Sequence, residues 1–259
     1  MSRSPLPEEP LGWPEDATYD ALIGDWCLYQ RRRGHKTSTD DVLAAWLAHR
    51  CMQGQAPQRY LDLGCGIGSV LLMTCHSLRP AYSLGVEAQH QSAAMAQASV
   101  SQLPGDESIE VRHGDFRTAL NVEGFDLITG SPPYFPVGTG TLSKDYQRVA
   151  CRFELRGGVE AYCQAAAKAM RPDAQVVLVF QTEGHERVLE AASAVGLHRH
   201  KQVDVRMRVD RPQPFLTVYA LRREEGPIER GELAIRDARG SITPAYRAAR
   251  AEIGLGTRD

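Results

Sequence analysis

A chain of 259 residues, 42% of them hydrophobic, is long enough for one large domain with appendages and a substantial core. Its formal net charge of −2 excludes a global basic field, so any contact with nucleic acid must come from a local patch. The six cysteines (27, 51, 65, 75, 151 and 163) form no C-x-x-C pair and no zinc-like spacing, which reads as reduced thiols in a cytoplasmic protein, with neither a disulfide framework nor a metal site.

Residues 1–27 carry Pro5, Pro7, Pro10 and Pro14 among acidic side chains and no apolar signal core, and read as a flexible lead. The basic segment Arg31, Arg32, Arg33, His35 and Lys36 follows and is suited to phosphates. Residues 39–50 have helical spacing, with Val42, Leu43, Trp46 and Leu47 on one side. Ser38 or Thr39 caps this helix, and Asp40 and Asp41 suit its positive end.

Strands are expected at 59–63, 82–87, 109–112, 125–129 and 174–181, and helices at 69–78, 89–103, 158–170 and 185–194. The polar stretch 136–147, with Gly138 and Gly140, reads either as a substrate lid or as an insertion. Segments 203–209 and 215–221, separated by Asp210-Arg211-Pro212, suit a closing antiparallel pair. Residues 224–259 are polar and are expected to drape over the domain. No apolar run, such as 176–180, is long enough to span a bilayer. Alternation of strands and helices predicts an α/β fold with a mostly parallel sheet and helices on both faces.

Two motifs carry chemistry. The first is the turn Gly64-Cys65-Gly66-Ile67-Gly68 after the strand bearing Asp62. Its glycines allow a backbone to approach a ligand closely, and the next helix points its positive end there. Ser69 stands where a pyrophosphate fingerprint needs Gly or Ala. Asp62 would repel a pyrophosphate but suits the cationic aminoacyl end of S-adenosylmethionine (AdoMet). Glu87, ending the second strand, suits the ribose hydroxyls. After the third strand, Asp115 is placed to accept the adenine amino group and Phe116 to lie on its ring. Taken singly, these acids also read as a turn residue, a solvated strand end and a helix cap. Their recurrence at successive strand ends favours a nucleotide site.

The second motif is Ser131-Pro132-Pro133-Tyr134, at the end of the fourth strand. Exocyclic amino and amide nitrogens are poor nucleophiles, because their lone pairs are delocalised. Ser131 Oγ and the Pro132 carbonyl offer acceptors for their N–H groups. The two prolines stiffen the turn, Tyr134 offers a ring for stacking, and Phe135 extends that surface. In isolation a diproline loop is ordinary structure; after this strand it reads as a transfer site.

The chain resembles the class I AdoMet-dependent N-methyltransferases and, within them, the bacterial valine-tRNA adenine-N6 methyltransferase family. The resemblance rests on the residues above, on 29–43, on Cys151-Arg152-Phe153-Glu154, and on Leu233-Ala234-Ile235-Arg236-Asp237 with Tyr246-Arg247. It implies a Rossmann-like seven-stranded sheet with an antiparallel last strand over 57–223, a helical cap over 28–56 and a C-terminal extension over 224–259. It further implies that Asp62, Gly64, Gly66, Glu87 and Asp115 contact AdoMet, that Asp40 approaches its aminoacyl end, and that 131–134 hold the target. The implied product is N6-methyladenine in tRNA, made by a cytoplasmic monomer or weak dimer. Ser131 stands where that family usually has Asn, and Phe153 where it has His.

Arg152 is a further candidate for substrate contact, although pairing with Glu154 is an equally ordinary role. A second basic cluster, His198, Arg199, His200, Lys201, Arg206, Arg208 and Arg211, reads either as a phosphate surface or as a solvated strand face. Rival functions are a protein glutamine-amide methyltransferase and an AdoMet- and RNA-binding protein without turnover.

Overall fold

The computed structural model describes residues 6–105, 108–139 and 142–256. Residues 1–5 of the expected lead, 140–141 of the polar loop and 257–259 of the C-terminal extension lie outside the described residues.

The described chain opens with an antiparallel hairpin, β1 (Ala17–Ile23) and β2 (Trp26–Arg31), turning at Gly24. This hairpin replaces the irregular lead expected over 17–27, and it puts strand rather than helix at the start of the expected cap. Its cause is a period-two pattern: Leu22, Trp26 and Leu28 are buried against the domain, while Tyr19 faces out. Helix α1 (Thr39–Cys51) follows, and the Asp41 carboxylate accepts the Ser38 N–H (2.9 Å) in the manner of a capping box.

Then come β3 (Arg59–Leu63), α2 (Ser69–Leu78), β4 (Tyr82–Glu87), α3 (His90–Ser101), β5 (Ile109–His113), α4 (Phe116–Ala119), β6 (Phe125–Gly130), α5 (Tyr146–Arg152), α6 (Val159–Ala169), β7 (Met170–Gln181), α7 (His185–Ser193), β8 (His198–Arg208), β9 (Leu216–Arg222), β10 (Glu229–Arg236) and α8 (Pro244–Glu252). The main sheet runs β10-β8-β9-β7-β6-β3-β4-β5. Only β9 is antiparallel to its neighbours. The expected doubly covered parallel sheet with a closing antiparallel pair is therefore present, with eight strands instead of seven. The additional strand, β10, pairs in parallel with β8 inside the stretch expected to be a polar drape. Only Leu233 and Ile235 of its residues are buried hydrophobics, which is why its apolar pattern is faint.

Alternation along the strands feeds two cores. Val177 and Val179 face one, with Leu43 of α1 and Leu71 of α2. Val176 and Leu178 face the other, with Tyr162 of α6 and Val188 of α7. Strand β3 sits where chain order reverses, between β4 and β6, so a crevice opens at its carboxyl end. No helix among the described residues is long and apolar enough to cross a membrane.

Trp26 is 2% exposed and packs edge-on against His76 at 5.2 Å, with the Arg79 guanidinium 5.3 Å above its ring. Trp26→Ala is expected to destabilise the whole domain by about 3–5 kcal/mol, read as a lower urea midpoint at unchanged slope. An unchanged midpoint would mean that the hairpin contributes nothing to the cooperative unit.

Candidate active site

A cavity of about 430 Å³ opens at the carboxyl ends of β3, β4, β5 and β6, within the usual range for small-molecule sites. Its floor is the turn after β3. Gly64, Gly66 and Gly68 all adopt left-handed backbone, with φ of +63°, +57° and +89°. A Cβ on Gly64 would lie 2.4 Å from the Tyr162 hydroxyl oxygen, whereas one on Gly66 would meet nothing within 4 Å. The Gly66 backbone therefore faces open space that a ligand can fill. Cys65 also lines the cavity; Gly68 stands behind it as the N-cap of α2.

Asp62 is 2% exposed. Its Oδ1 accepts from the Thr129 hydroxyl (2.6 Å), which also meets the Tyr60 hydroxyl (2.7 Å). Its Oδ2 is buried without a close hydrogen-bond donor, and the Leu71 N–H in the first turn of α2 favours its charged form from a longer range. Burial pushes the Asp62 carboxyl up to about 8 despite the Thr129 bond. A carboxylate with one idle oxygen in a cavity wall is matched to a ligand cation. Glu87 is held differently. Its Oε1 accepts the Gln89 N–H (2.6 Å) and its Oε2 the Gly66 N–H (2.8 Å). Burial raises its pKa, and these two bonds oppose the rise. The carboxylate is thereby locked in orientation while retaining lone pairs for further donors.

Asp115 and Phe116 also line the cavity. Asp115 is already committed: Arg117 donates to its Oδ1 through Nε (3.0 Å) and to its Oδ2 through Nη2 (2.6 Å), and the Arg117 N–H caps on Oδ1 (3.0 Å). The Arg117 hydrogen bond holds its pKa below the usual carboxylate range. An adenine amino group would have to share these oxygens. Phe116 packs edge-on against Tyr162 at 4.7 Å.

Ser131, Pro132, Pro133, Tyr134 and Phe135 form the opposite wall. The Tyr134 hydroxyl donates to Asp40 Oδ2 (3.0 Å), while Ser38 Oγ donates to Asp40 Oδ1 (2.7 Å). The Tyr134 ring stands edge-on to Phe180 (5.3 Å), and Gln181 Nε2 donates to its carbonyl (3.1 Å). Burial and the neighbouring Asp40 charge raise the Tyr134 pKa well above its ordinary value, so it remains a neutral donor. Asp40, expected near the aminoacyl end of AdoMet, here fixes the tyrosine.

Phe135 pairs through its backbone with 152–154, closing the polar stretch into a loop that contains α5. Exposed Arg152 lies over the Phe135 ring at 5.4 Å and lines the cavity mouth. Glu154 does not pair with it; it binds Arg187, which also holds Glu160. Among the other basic candidates, Arg31 is tied to Asp16 and Asp145, both at 2.8 Å. Arg32, Arg33 and Lys36 are exposed and do not line the cavity, whereas His35 does.

The cavity adds Gln89, Arg156 and Tyr162, which no motif marks, and brings in Asp41 and Phe153, read above as a helix-start acid and as part of the 151–154 motif. Asp41 is buried, and burial together with Asp40 raises its carboxyl to about 6. Glu9 also reaches this region. Its carboxylate accepts from the His90 N–H (2.8 Å), the Tyr146 hydroxyl (3.0 Å) and Arg156 (3.0 Å). A glutamate in a proline-rich lead offers no sequence signal for such a role.

Comparison with known proteins follows the same lines. The model of the methyltransferase small domain matches residues 39–150. The tRNA1(Val) (adenine(37)-N6)-methyltransferase of Bacteroides thetaiotaomicron is 32% identical over 173 residues, covering 66% of this chain and 70% of that protein. The release factor glutamine methyltransferase of Caulobacter vibrioides is 28% identical over 180 residues, covering 66% of this chain and 60% of that protein. Among solved structures, a predicted O-methyltransferase from Agrobacterium tumefaciens superposes with a TM-score of 0.62 at 20% identity, covering 85% of this chain and all of that one, a likeness of fold.

The raised Asp62 pKa has a signed consequence. The unfolded carboxyl titrates near 3.9, so the folded, ligand-free protein loses stability as pH rises from about 4 toward 8. A ligand ammonium beside Oδ2 lowers that pKa. Binding of AdoMet at pH 7 is therefore expected to release on the order of one proton. Calorimetry in buffers of differing ionisation heat measures this, and Asp62→Asn should abolish it. Buffer-independent heats in the unaltered protein would remove Asp62 from the cofactor contact.

Proposed function

This chain belongs to the AdoMet-dependent methyltransferase family of the bacterial tRNA1(Val) adenine-N6 enzymes, and from that premise we propose that it methylates the N6 amino nitrogen of an adenine in tRNA. The observation that carries the proposal is the single cavity lined both by Asp62 and by the Ser131–Tyr134 wall.

Bound AdoMet supplies an electrophilic methyl group on a cationic sulfur. Asp62 would hold its ammonium and Glu87 its ribose hydroxyls, with Gly64, Cys65 and Gly66 supplying a backbone free of obstructing side chains. Asp115 and Phe116 border the adenine. On the substrate side, Ser131 Oγ and the Pro132 carbonyl accept the N–H bonds of the target amine and turn its lone pair toward the methyl group. The Asp40–Tyr134 hydrogen bond fixes the ring on which the base stacks. Stacking of this kind contributes roughly 1–3 kcal/mol per base. No strong base is required, because the amine becomes acidic only as the new N–C bond forms. Phe135 and Arg152 extend the base surface at the mouth, and exposed Arg32, Arg33 and Lys36 meet phosphates. The same reading places the enzyme in the cytoplasm as a monomer or weak dimer.

A glutamine amide nitrogen poses the same electronic problem, and the likeness to the release factor enzyme keeps it as the second reading. Incubation with tritiated AdoMet and, in parallel, unmodified tRNA and cellular protein separates the two. N6-methyladenosine in digested tRNA is the expected product. Label in protein would select the amide, and AdoMet binding without label would indicate a protein lacking turnover.

Tyr134→Ala is expected to lower transfer by about 10-fold to 100-fold, consistent with loss of one stacked base, while leaving AdoMet affinity within about twofold. Full activity in that variant would exclude stacking on this ring.

A further inference from the structure

The eighth strand changes one face of the sheet. Strands β8 and β10 pair so that Val205 lies beside Leu233, Arg206 beside Ala234 and Arg208 beside Arg236. Their odd-numbered residues Val203, Val205, Leu233 and Ile235 belong to one core. None of the β8 or β10 residues belongs to the other core, whose cover over this part of the sheet comes from α7. The even-numbered face of these two strands consequently carries no buried apolar side chain; Gln202 is buried, Arg206 and Arg208 are half-buried, and Arg230 and Arg236 are exposed. It presents Arg206, Arg208, Arg230 and Arg236.

Three acidic groups, Asp204, Asp210 and Glu232, stand among these four arginines, and Arg208 also donates to the Ala238 carbonyl (2.7 Å). Arg206 pairs with Glu232 (2.7 Å) and Arg208 with Asp210 (2.7 Å), and both carboxylates are well exposed, so solvent screens these pairs. Asp204 is turned to Gln202 (2.8 Å) and Thr217 (2.9 Å). The Arg230 side chain takes part in no ion pair or hydrogen bond recorded among the described residues, and the Arg236 guanidinium gives one bond, to the Gly240 carbonyl (2.6 Å). The excess positive charge is felt nearby: burial and then Arg230 lower the pKa of Arg199. The other end of the second basic cluster is spent, with Lys201 paired to Glu229 and His200 buried and lowered to about 4.

The face is close to the transfer site. Gln181, which holds the Tyr134 carbonyl, aligns with Leu216, then with Val205, then with Leu233. At a strand spacing of about 4.8 Å, Val205 lies roughly 10 Å and Leu233 roughly 15 Å from Gln181. We propose that the even-numbered strand face carrying Arg206, Arg208, Arg230 and Arg236 docks the phosphate backbone of the RNA whose adenine enters the cavity. This rests on the tRNA reading above. Arginine forks on a flat sheet suit phosphate oxygens, and a local patch is what a chain of net charge −2 requires.

The test measures binding separately from turnover. Fluorescently labelled unmodified tRNA is titrated with the full-length protein between 50 and 200 mM salt, and methylation kinetics are run alongside. In Arg230→Gln/Arg236→Gln the slope of log affinity against log salt should fall by about 2, and KM for tRNA should rise about tenfold, with kcat and AdoMet affinity unchanged. Glu232→Gln removes a competing carboxylate and should bind tRNA more tightly, a gain that misfolding cannot mimic. Unchanged slopes and KM in these variants, with tRNA still methylated by the unaltered protein, would overturn the docking surface alone. Weakened tRNA binding in the double variant without tRNA methylation by the unaltered protein would keep the surface and remove the adenine reading. Label in an acidic protein, with no salt-dependent RNA binding, would overturn both.

Discussion

A carboxylate taken out of water with one oxygen unpaired is costly, and the site is organised around such a group at Asp62. The cost is sustained because Asp62 lies near the end of a strand buried on both sides, between β4 and β6, where burial leaves it little water. Thr129 on β6 satisfies one oxygen and thereby fixes the direction of the other. The left-handed turn that follows removes side chains from the space ahead. Ligand-free stability is lowered in favour of an acceptor whose orientation is set before a cation arrives, as at other sites that bind by preorganisation.

The two halves of the cavity are joined through the first turn of α1. Ser38, Asp40 and Asp41 cap that helix, and Asp40 also holds the Tyr134 hydroxyl. Buried Asp41 contributes to the raised pKa of Asp62 across the cavity. The donor side therefore senses the segment that positions the target side, and a cation bound at Asp62 also eases Asp41. Ser131 fits this geometry. A serine reaches less far than the asparagine common in the resembled family, and its hydroxyl meets Tyr134, which Asp40 also holds.

The sequence made β3, β4, β6 and β7 legible because their apolar runs are dense and end at glycine, acid or proline. It made the Gly64–Gly68 turn and the Ser131–Tyr134 wall legible because those residue types have few other reasons to stand at strand ends. The hairpin at 17–31 was hidden by prolines and acids around it; only its inward residues are apolar. Strand β10 was hidden because two buried residues suffice to anchor an edge strand beside β8. Pairings such as Arg117 on Asp115, Arg31 on Asp145 and Arg187 on Glu154 decide which charges are available, and sequence spacing does not reveal side-chain direction.

That last point governs how an almost neutral chain can address a polyanion. Arg31 is consumed internally, by Asp16 and Asp145, and so helps to seat α5, whose last residues line the cavity. Arg32, Arg33 and Lys36 stay exposed beside Arg31, and count alone would have spread the second basic surface along all of β8. Register instead separates β8 into buried and exposed residues, and pairing with Glu229 neutralises Lys201 near its start. What remains on β8 and β10 is the outer half of the sheet, where the even-numbered face of β10 adds Arg230 and Arg236 against the single carboxylate of Glu232. An edge strand that nearly escapes detection by hydrophobicity thus sets the sign of the surface beside the transfer site.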